Sequence, residues 1–270
     1  MLNRPLPNQA LASAAWTGLA FLLASPSHAS PSPEARGLAI AKEADRRDVG
    51  FGDHTARVQM ILRNRHGQES RRDLRLRTLE VRDDGDKLFV VFDQPRDVRG
   101  TAFLSHTHSQ GADDQWLFLP ALRRVKRIAS HNKSGPFVGS EFAYEDLASQ
   151  EVDKYRYRYL GKEEVAGQRA FMIERKPIDQ RSGYARQIAY LDTEHYRPLK
   201  VVFFDRGNRK LKTLTYERYQ QYLGQYWRAD RMHMENHQTG KTTELLWSKY
   251  RFRTGLERGD FEQAALRRAR

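Results

Sequence analysis

The sequence predicts a mainly β protein built on one large antiparallel sheet, with a short helix ahead of it. Three observations carry that reading. Apolar and polar residues alternate with a period of two along most of the chain, the spacing of strands with one buried face. Tight turns such as Asp205-Arg206-Gly207-Asn208 and Gln238-Thr239-Gly240-Lys241 join neighbouring segments, which forces antiparallel pairing. No Gly/Ser linker, low-complexity segment or repeat interrupts the pattern.

Taken in order, Ser32-Pro33 reads as an N-cap followed by a first-turn proline, opening a helix with Leu38, Ala41 and Ala44 that stops near Gly50-Phe51-Gly52. Val58, Met60 and Leu62 then alternate with Gln59, Ile61 and Arg63 as a strand, and His66-Gly67-Gln68 turns the chain. In the next strand Leu74 and Leu76 share one face and Leu79 and Val81 the other, which predicts a bulge near Thr78. Leu88 to Phe92 follows a turn at Asp83 to Asp86, then Thr101 to Ser105 and Gln115 to Leu119. In the second half Tyr155, Tyr157 and Tyr159 face away from Arg156 and Arg158. Further strands are expected at Ala170 to Lys176, Gln187 to Asp192, Leu199 to Asp205, Leu211 to Tyr219, Tyr226 to Asn236 and Thr242 to Phe252.

The first residues predict export. Arg4 precedes an uncharged stretch from Ala10 to Ala24 with Trp16, Leu19, Phe21, Leu22 and Leu23, and Ser27-His28-Ala29 offers small residues for cleavage. A bilayer span needs roughly 20 apolar residues, more than the run ahead of Pro26 supplies. Residues 1–29 therefore read as a signal peptide cleaved after Ala29, and residues 30–270 as one domain. No paired arginines precede the apolar run, which favours the general secretory route. The chain has no cysteine, so the fold must rest on its core, and no thiol follows the signal to accept a lipid. Lys and Arg number 47 against 34 Asp and Glu, a net charge of +13. In a periplasmic protein such basicity suits anionic membrane surfaces better than nucleic acid, or else simply a solvated face.

Catalysis has no visible centre. No Gly-x-Ser-x-Gly elbow, His-Glu-x-x-His helix, Walker loop or dinucleotide-binding turn is present, so neither an enzyme nor a cofactor is expected. His106 and His108 would face one side of a strand, but a metal site takes three or four ligands, and the pair reads as a solvated loop edge. Glu141, Glu145 and Asp146 lie beside a basic run, where pairing with arginine is the simplest expectation.

One segment stands apart. Trp116-Leu117-Phe118-Leu119-Pro120-Ala121-Leu122-Arg123-Arg124-Val125-Lys126-Arg127-Ile128 is followed by Gly135-Pro136-Phe137-Val138-Gly139-Ser140-Glu141-Phe142-Ala143-Tyr144-Glu145-Asp146-Leu147. Its glycines suggest a loop free to open, and Phe137 and Phe142 would be costly on such a loop unless they cover something apolar. The plainer alternative is an ordinary loop tucked onto the core.

These two blocks resemble the signature of the LolA-like outer-membrane lipoprotein-sorting proteins. The likeness extends to the short helix before Gly50, the run of strands, the hairpin around Lys241 and the tail from Phe261 to Leu266. It implies an incomplete β-barrel, a single curved antiparallel sheet with the N-terminal helix and a helical or loop lid over an apolar cavity. It also implies a periplasmic carrier for a lipid or lipoprotein cargo, served by an inner-membrane transporter and an outer-membrane acceptor. Cavity or lid candidates are then Trp116, Phe118, Phe137, Phe142 and Tyr144, and Arg123, Arg124, Lys126 and Arg127 form a patch for anionic membranes or partners. Length and basicity set the chain apart from the best-characterised carriers, leaving the cargo open among lipoproteins, phospholipids and other envelope lipids. An adaptor of an envelope complex that carries nothing is the alternative.

Overall fold

Among the described residues thirteen strands form one antiparallel sheet whose two edges do not close. A computed structural model describes residues 1, 2, 30–82 and 84–269; residues 3–29 of the expected signal peptide, up to its cleavage point at Ala29, lie outside the described residues. Helix α1 (Pro33–Asp48) is followed by β1 (Asp53–Arg63), β2 (Glu69–Leu79), β3 (Lys87–Gln94), β4 (Ala102–His106), β5 (Asp114–Leu119) and β6 (Arg124–Arg127). Then come β7 (Tyr155–Val165), β8 (Gln168–Pro177), β9 (Tyr184–Asp192), β10 (Pro198–Asp205), β11 (Lys210–Tyr222), β12 (Tyr226–Asn236), β13 (Thr242–Phe252) and a terminal helix α2 (Gln263–Arg268).

The strand order is β6-β5-β4-β3-β2-β1-β13-β12-β11-β10-β9-β8-β7. The first six strands step outward from the centre to one edge, and the last seven step inward from the other, meeting where β1 pairs with β13. Residues 128–154, between β6 and β7, must therefore connect the two edges, and they do so across the inner face of the sheet. Register shifts between Thr55 and Arg57, Asp73 and Leu74, Tyr159 and Gly161, and Phe203 and Phe204 add the local twist that curves so wide a sheet.

Alternation makes the inner face apolar. Val58, Met60, Leu74, Leu76, Val90, Phe92, Phe103, Ile173, Val201, Phe203, Leu214 and Met234 all join one core with Ile40 and Ala41 of α1. The helix begins as its sequence dictates, the Ser32 hydroxyl accepting from the Ala35 N–H at 3.1 Å with Pro33 in the first turn. It lies close on β7 because Gly37 has no side chain: a Cβ there would stand 2.8 Å from the Arg158 backbone.

The C-terminal tail covers part of the outer face. Phe89, Val91, Ala102, Leu104 and Trp116 bury against Phe261 and Leu266 of the C-terminal tail. The tail is steered there by Asp53, whose carboxylate accepts from the Thr254 N–H at 2.8 Å, the Thr254 hydroxyl at 2.5 Å and the Gly255 N–H at 3.2 Å. This corrects the reading of β2. The ladder to β1 and β3 runs through Thr78 without a shift, and Leu79 simply points outward to pack against this second cluster. A strand covered on both faces carries apolar residues of both parities, which mimics a change of phase. The basic strand β6, unmarked in the alternation, is the other departure; Pro120 ends β5 and opens the turn that folds it back.

Candidate functional site

Residues 128–154 fill the inner face. Phe137 is 2 % exposed and Phe142 4 %, and the Phe137 ring sits 5.8 Å from Phe92, 5.2 Å from Phe103 and 5.7 Å from Tyr144. Locally the chain doubles back: the Phe137 N–H donates to the Phe142 carbonyl at 2.7 Å, and the Tyr144 N–H to the Gly135 carbonyl at 3.1 Å. The turn places Val138 at φ 45°, a left-handed conformation unfavourable for a β-branched residue. The Arg72 guanidinium holds it by donating to the Val138 carbonyl.

Polar side chains of β5, β9, β11, β12 and β13, and of the turn before β9, anchor the segment. Lys212 of β11, buried on the inner face, donates to the Asp146 carboxylate at 2.7 Å and to the Glu141 carbonyl at 2.8 Å. Asp146 also accepts from the Tyr184 hydroxyl and the Ala143 N–H, both at 2.7 Å. Gln115 donates to the Tyr144 carbonyl at 2.9 Å, Thr243 accepts from the Glu141 N–H at 2.9 Å, and Asn236 donates to the Glu141 carboxylate at 2.6 Å. Glu145 accepts from the Ser182 hydroxyl at 2.7 Å and the Gly183 N–H at 2.8 Å. Burial pushes its carboxyl above the ordinary value in spite of those donors. Among the described residues none of these three carboxylates pairs with an arginine; lysine, amide and hydroxyl groups of the second half of the chain take that place.

Two cavities flank the segment. One of about 390 Å³ lies towards β5 and β6, against Leu117, Leu119, Lys126, Ile128, His131 and Tyr144. The other, of about 900 Å³, lies towards the second half of the sheet, where Tyr155, Arg175, Gln187, Phe203 and Tyr216 face Glu145 and Asp146. Volumes of roughly 300–1,000 Å³ are those of small-ligand sites.

The five aromatic candidates do not converge. Phe137, Phe142 and Tyr144 sit together on the inner face, whereas Trp116 and Phe118 belong to the outer cluster under the C-terminal tail. Phe137 is thus not the exposed side chain of an open loop; its ring is worth about 1.5–3 kcal/mol buried, and the inner face supplies the place. The basic candidates also divide. Arg123, at φ 49°, and Arg124 stand exposed at the hairpin tip, Lys126 lines the smaller cavity, and Arg127 pairs with Asp114.

His106 and His108 are not a solvated edge. His106 Nε2 lies 2.7 Å from the Phe261 carbonyl and its ring meets Trp116 edge-on. His108 sits between Asp84 at 2.7 Å and Asp114 at 3.3 Å, and the Asp84 carboxylate, foremost, raises its pKa. These carboxylates hold opposite nitrogens of one ring and so do not share a centre. Among the described residues no group of three or more His, Asp or Glu could hold a metal ion.

An open, curved antiparallel sheet wrapped on a helix and a crossing segment, with cavities beside that segment, is the LolA-like fold. The comparisons agree. A Vibrio parahaemolyticus domain described as an outer membrane lipoprotein-sorting protein is 58% identical, with a TM-score of 0.85, over 86% of this chain and 98% of its own. A DUF1329 family protein from Desulfovibrio piger is 28% identical, TM-score 0.82, covering 87% of this chain and 100% of its own. A LolA superfamily protein from Nitrosomonas europaea, 22% identical over 85% of this chain and 98% of its own, shares the fold at a TM-score of 0.68. A family model described as an uncharacterized protein matches residues 84–268, and no curated protein matches. The chain belongs to the outer membrane lipoprotein-sorting, LolA-like family. Members of that family are periplasmic, and the fold supports a carrier-type role in general.

Proposed function

We propose that the protein is a periplasmic carrier that takes a lipid, or the acyl chain of a lipoprotein, onto the inner face of its sheet for transfer towards the outer membrane. In this reading residues 1–29 are removed by cleavage after Ala29, and residues 30–270 form the carrier. The observation that carries it is the burial of Phe137 and Phe142, apolar side chains on a crossing segment that is also anchored by polar contacts and flanked by two cavities. Such a segment occupies, in the free protein, the apolar surface a chain of methylenes would cover, and it yields that surface when the cargo arrives. Each buried methylene is worth about 0.8 kcal/mol, so an acylated molecule needs a cover to cross the aqueous periplasm. An inner-membrane transporter supplying the cargo and an outer-membrane acceptor receiving it fit this role.

Equilibrium binding of fluorescent fatty-acyl probes to the folded, processed protein tests the reading. Affinity is expected to rise with chain length, by up to about fourfold per methylene at that increment. Failure to bind any acyl probe would leave the adaptor role in its place.

A further inference from the structure

Every cation that lines or anchors the larger cavity has a carboxylate partner, with one exception. Lys133 and Arg181 pair with Asp179, Lys154 with Asp113, and Lys212 with Asp146. Arg175 of β8 has none among the described residues. Its Nε donates to Gln187 at 2.6 Å and its guanidinium lies 5.5 Å from the centre of the Tyr155 ring. Its two terminal nitrogens make no hydrogen bond among the described residues. The residue shares the inner register with Phe171 and Ile173, so its charge stands inside the cavity and not on the outer surface.

We propose that Arg175 is a headgroup site that receives the phosphodiester of a phospholipid whose acyl chains occupy the inner face; this rests on the carrier reading above. A half-buried guanidinium keeps its solvation only while the cavity is wet. A neutral acylglyceride entering there would strip that water and return nothing, whereas a phosphodiester returns charge and accepts from both free terminal nitrogens. The contact to Gln187 and the Tyr155 ring fix the plane of the fork beforehand, so little side-chain entropy is lost on binding. Glu145 and Asp146 share the cavity, but each is already engaged, by Ser182 and Gly183 and by Lys212 and Tyr184. They do not neutralise Arg175. The larger cavity is thereby the polar end of the site, and the aromatic plug around Phe137 its apolar end.

The test compares phosphatidylglycerol with diacylglycerol of identical, fluorescently tagged chains, on the wild type and on Arg175→Gln and Arg175→Lys, with thermal unfolding as a check on folding. The wild type is expected to prefer phosphatidylglycerol by about tenfold or more. Arg175→Gln should lose that preference by weakening phosphatidylglycerol alone, and Arg175→Lys should keep part of it. Equal affinity of the wild type for the two lipids would overturn the headgroup site, as would an equal loss of both in Arg175→Gln. So would full displacement of phosphatidylglycerol by millimolar inorganic phosphate, which would mark a site for the free anion. If Arg175→Gln does not fold, the wild-type preference and Arg175→Lys still decide. Absence of binding to either lipid by the folded wild type would instead remove the carrier reading itself.

Discussion

Lys212 shows how a single residue holds the site closed. Its ammonium lies inside the sheet, paired with Asp146 on the crossing segment, with the Tyr184 and Phe203 rings each 5.3 Å away. A buried pair of this kind is weak evidence of net stability, yet breaking it strands a charge, at a cost of about 3–5 kcal/mol. Lys212→Met is therefore expected to lower stability by about that amount in urea unfolding, and adding Asp146→Asn to recover a good part of it. Full additivity of the two changes would show that the pair does not interact. Lys212 had a signal in the sequence. It shares parity with the inner residues Leu214 and Tyr216, as Arg175 does with Ile173 and Arg72 with Leu74. A basic residue in the buried register of a strand marks a charge inside the fold, and in these three cases it meets the crossing segment or a cavity beside it. What parity leaves unsaid is the partner, because Asp146 and Val138 lie 66 positions away along the chain.

At the scale of elements, the crossing segment is the part whose motion matters. Its aromatic block was legible as unusual, but glycine content suggested an open loop where the chain is folded into a short, hydrogen-bonded doubling. Flexible composition sets the entropy of the unfolded segment; burial of two phenylalanine rings and the anchoring side chains decides the folded one. The amides of Phe137 and Tyr144 are thus expected to exchange slowly in the free protein, close to those of β10, and to lose protection when an acyl ligand displaces the segment. Hydrogen exchange measured with and without a saturating acyl probe reads both. Unchanged protection in the bound state would place the ligand beside the segment and leave the segment in position. Trp116 and Phe118 carry a similar lesson. Their side of β5 is fixed by the tail from Phe261 to Leu266, which lies on the outer face of β3, β4 and β5, and nothing in the local pattern of β5 distinguishes a tail from a lid.

For the whole molecule, one place where positive charge stands exposed is the turn between β5 and β6, where Arg123 and Arg124 follow Leu122, itself 63 % exposed. Replacing Arg123 and Arg124 with Ser should weaken binding to vesicles of anionic lipid, on the order of tenfold or more at low salt. The difference should shrink as salt is added, while acyl-probe affinity holds within about twofold. Centrifugation with vesicles at two ionic strengths measures it, and a loss independent of salt would count against an electrostatic contact. Lys126 and Arg127 are poorer choices, because one lines a cavity and the other is held by Asp114. The sequence by itself determined the strands other than β6 and most of their inner residues, the capped helix and the hairpin turns, because period-two burial and turn chemistry are local. Through its signature blocks it also carried the family. Only the tertiary structure decided that the two halves join through β1 and β13, that the crossing segment is seated as a plug, and that the tail covers the outer face. Each of these depends on contacts between residues far apart in the chain, whose pairing is chosen by the best joint burial of apolar surface and charge, not by any one segment's own pattern.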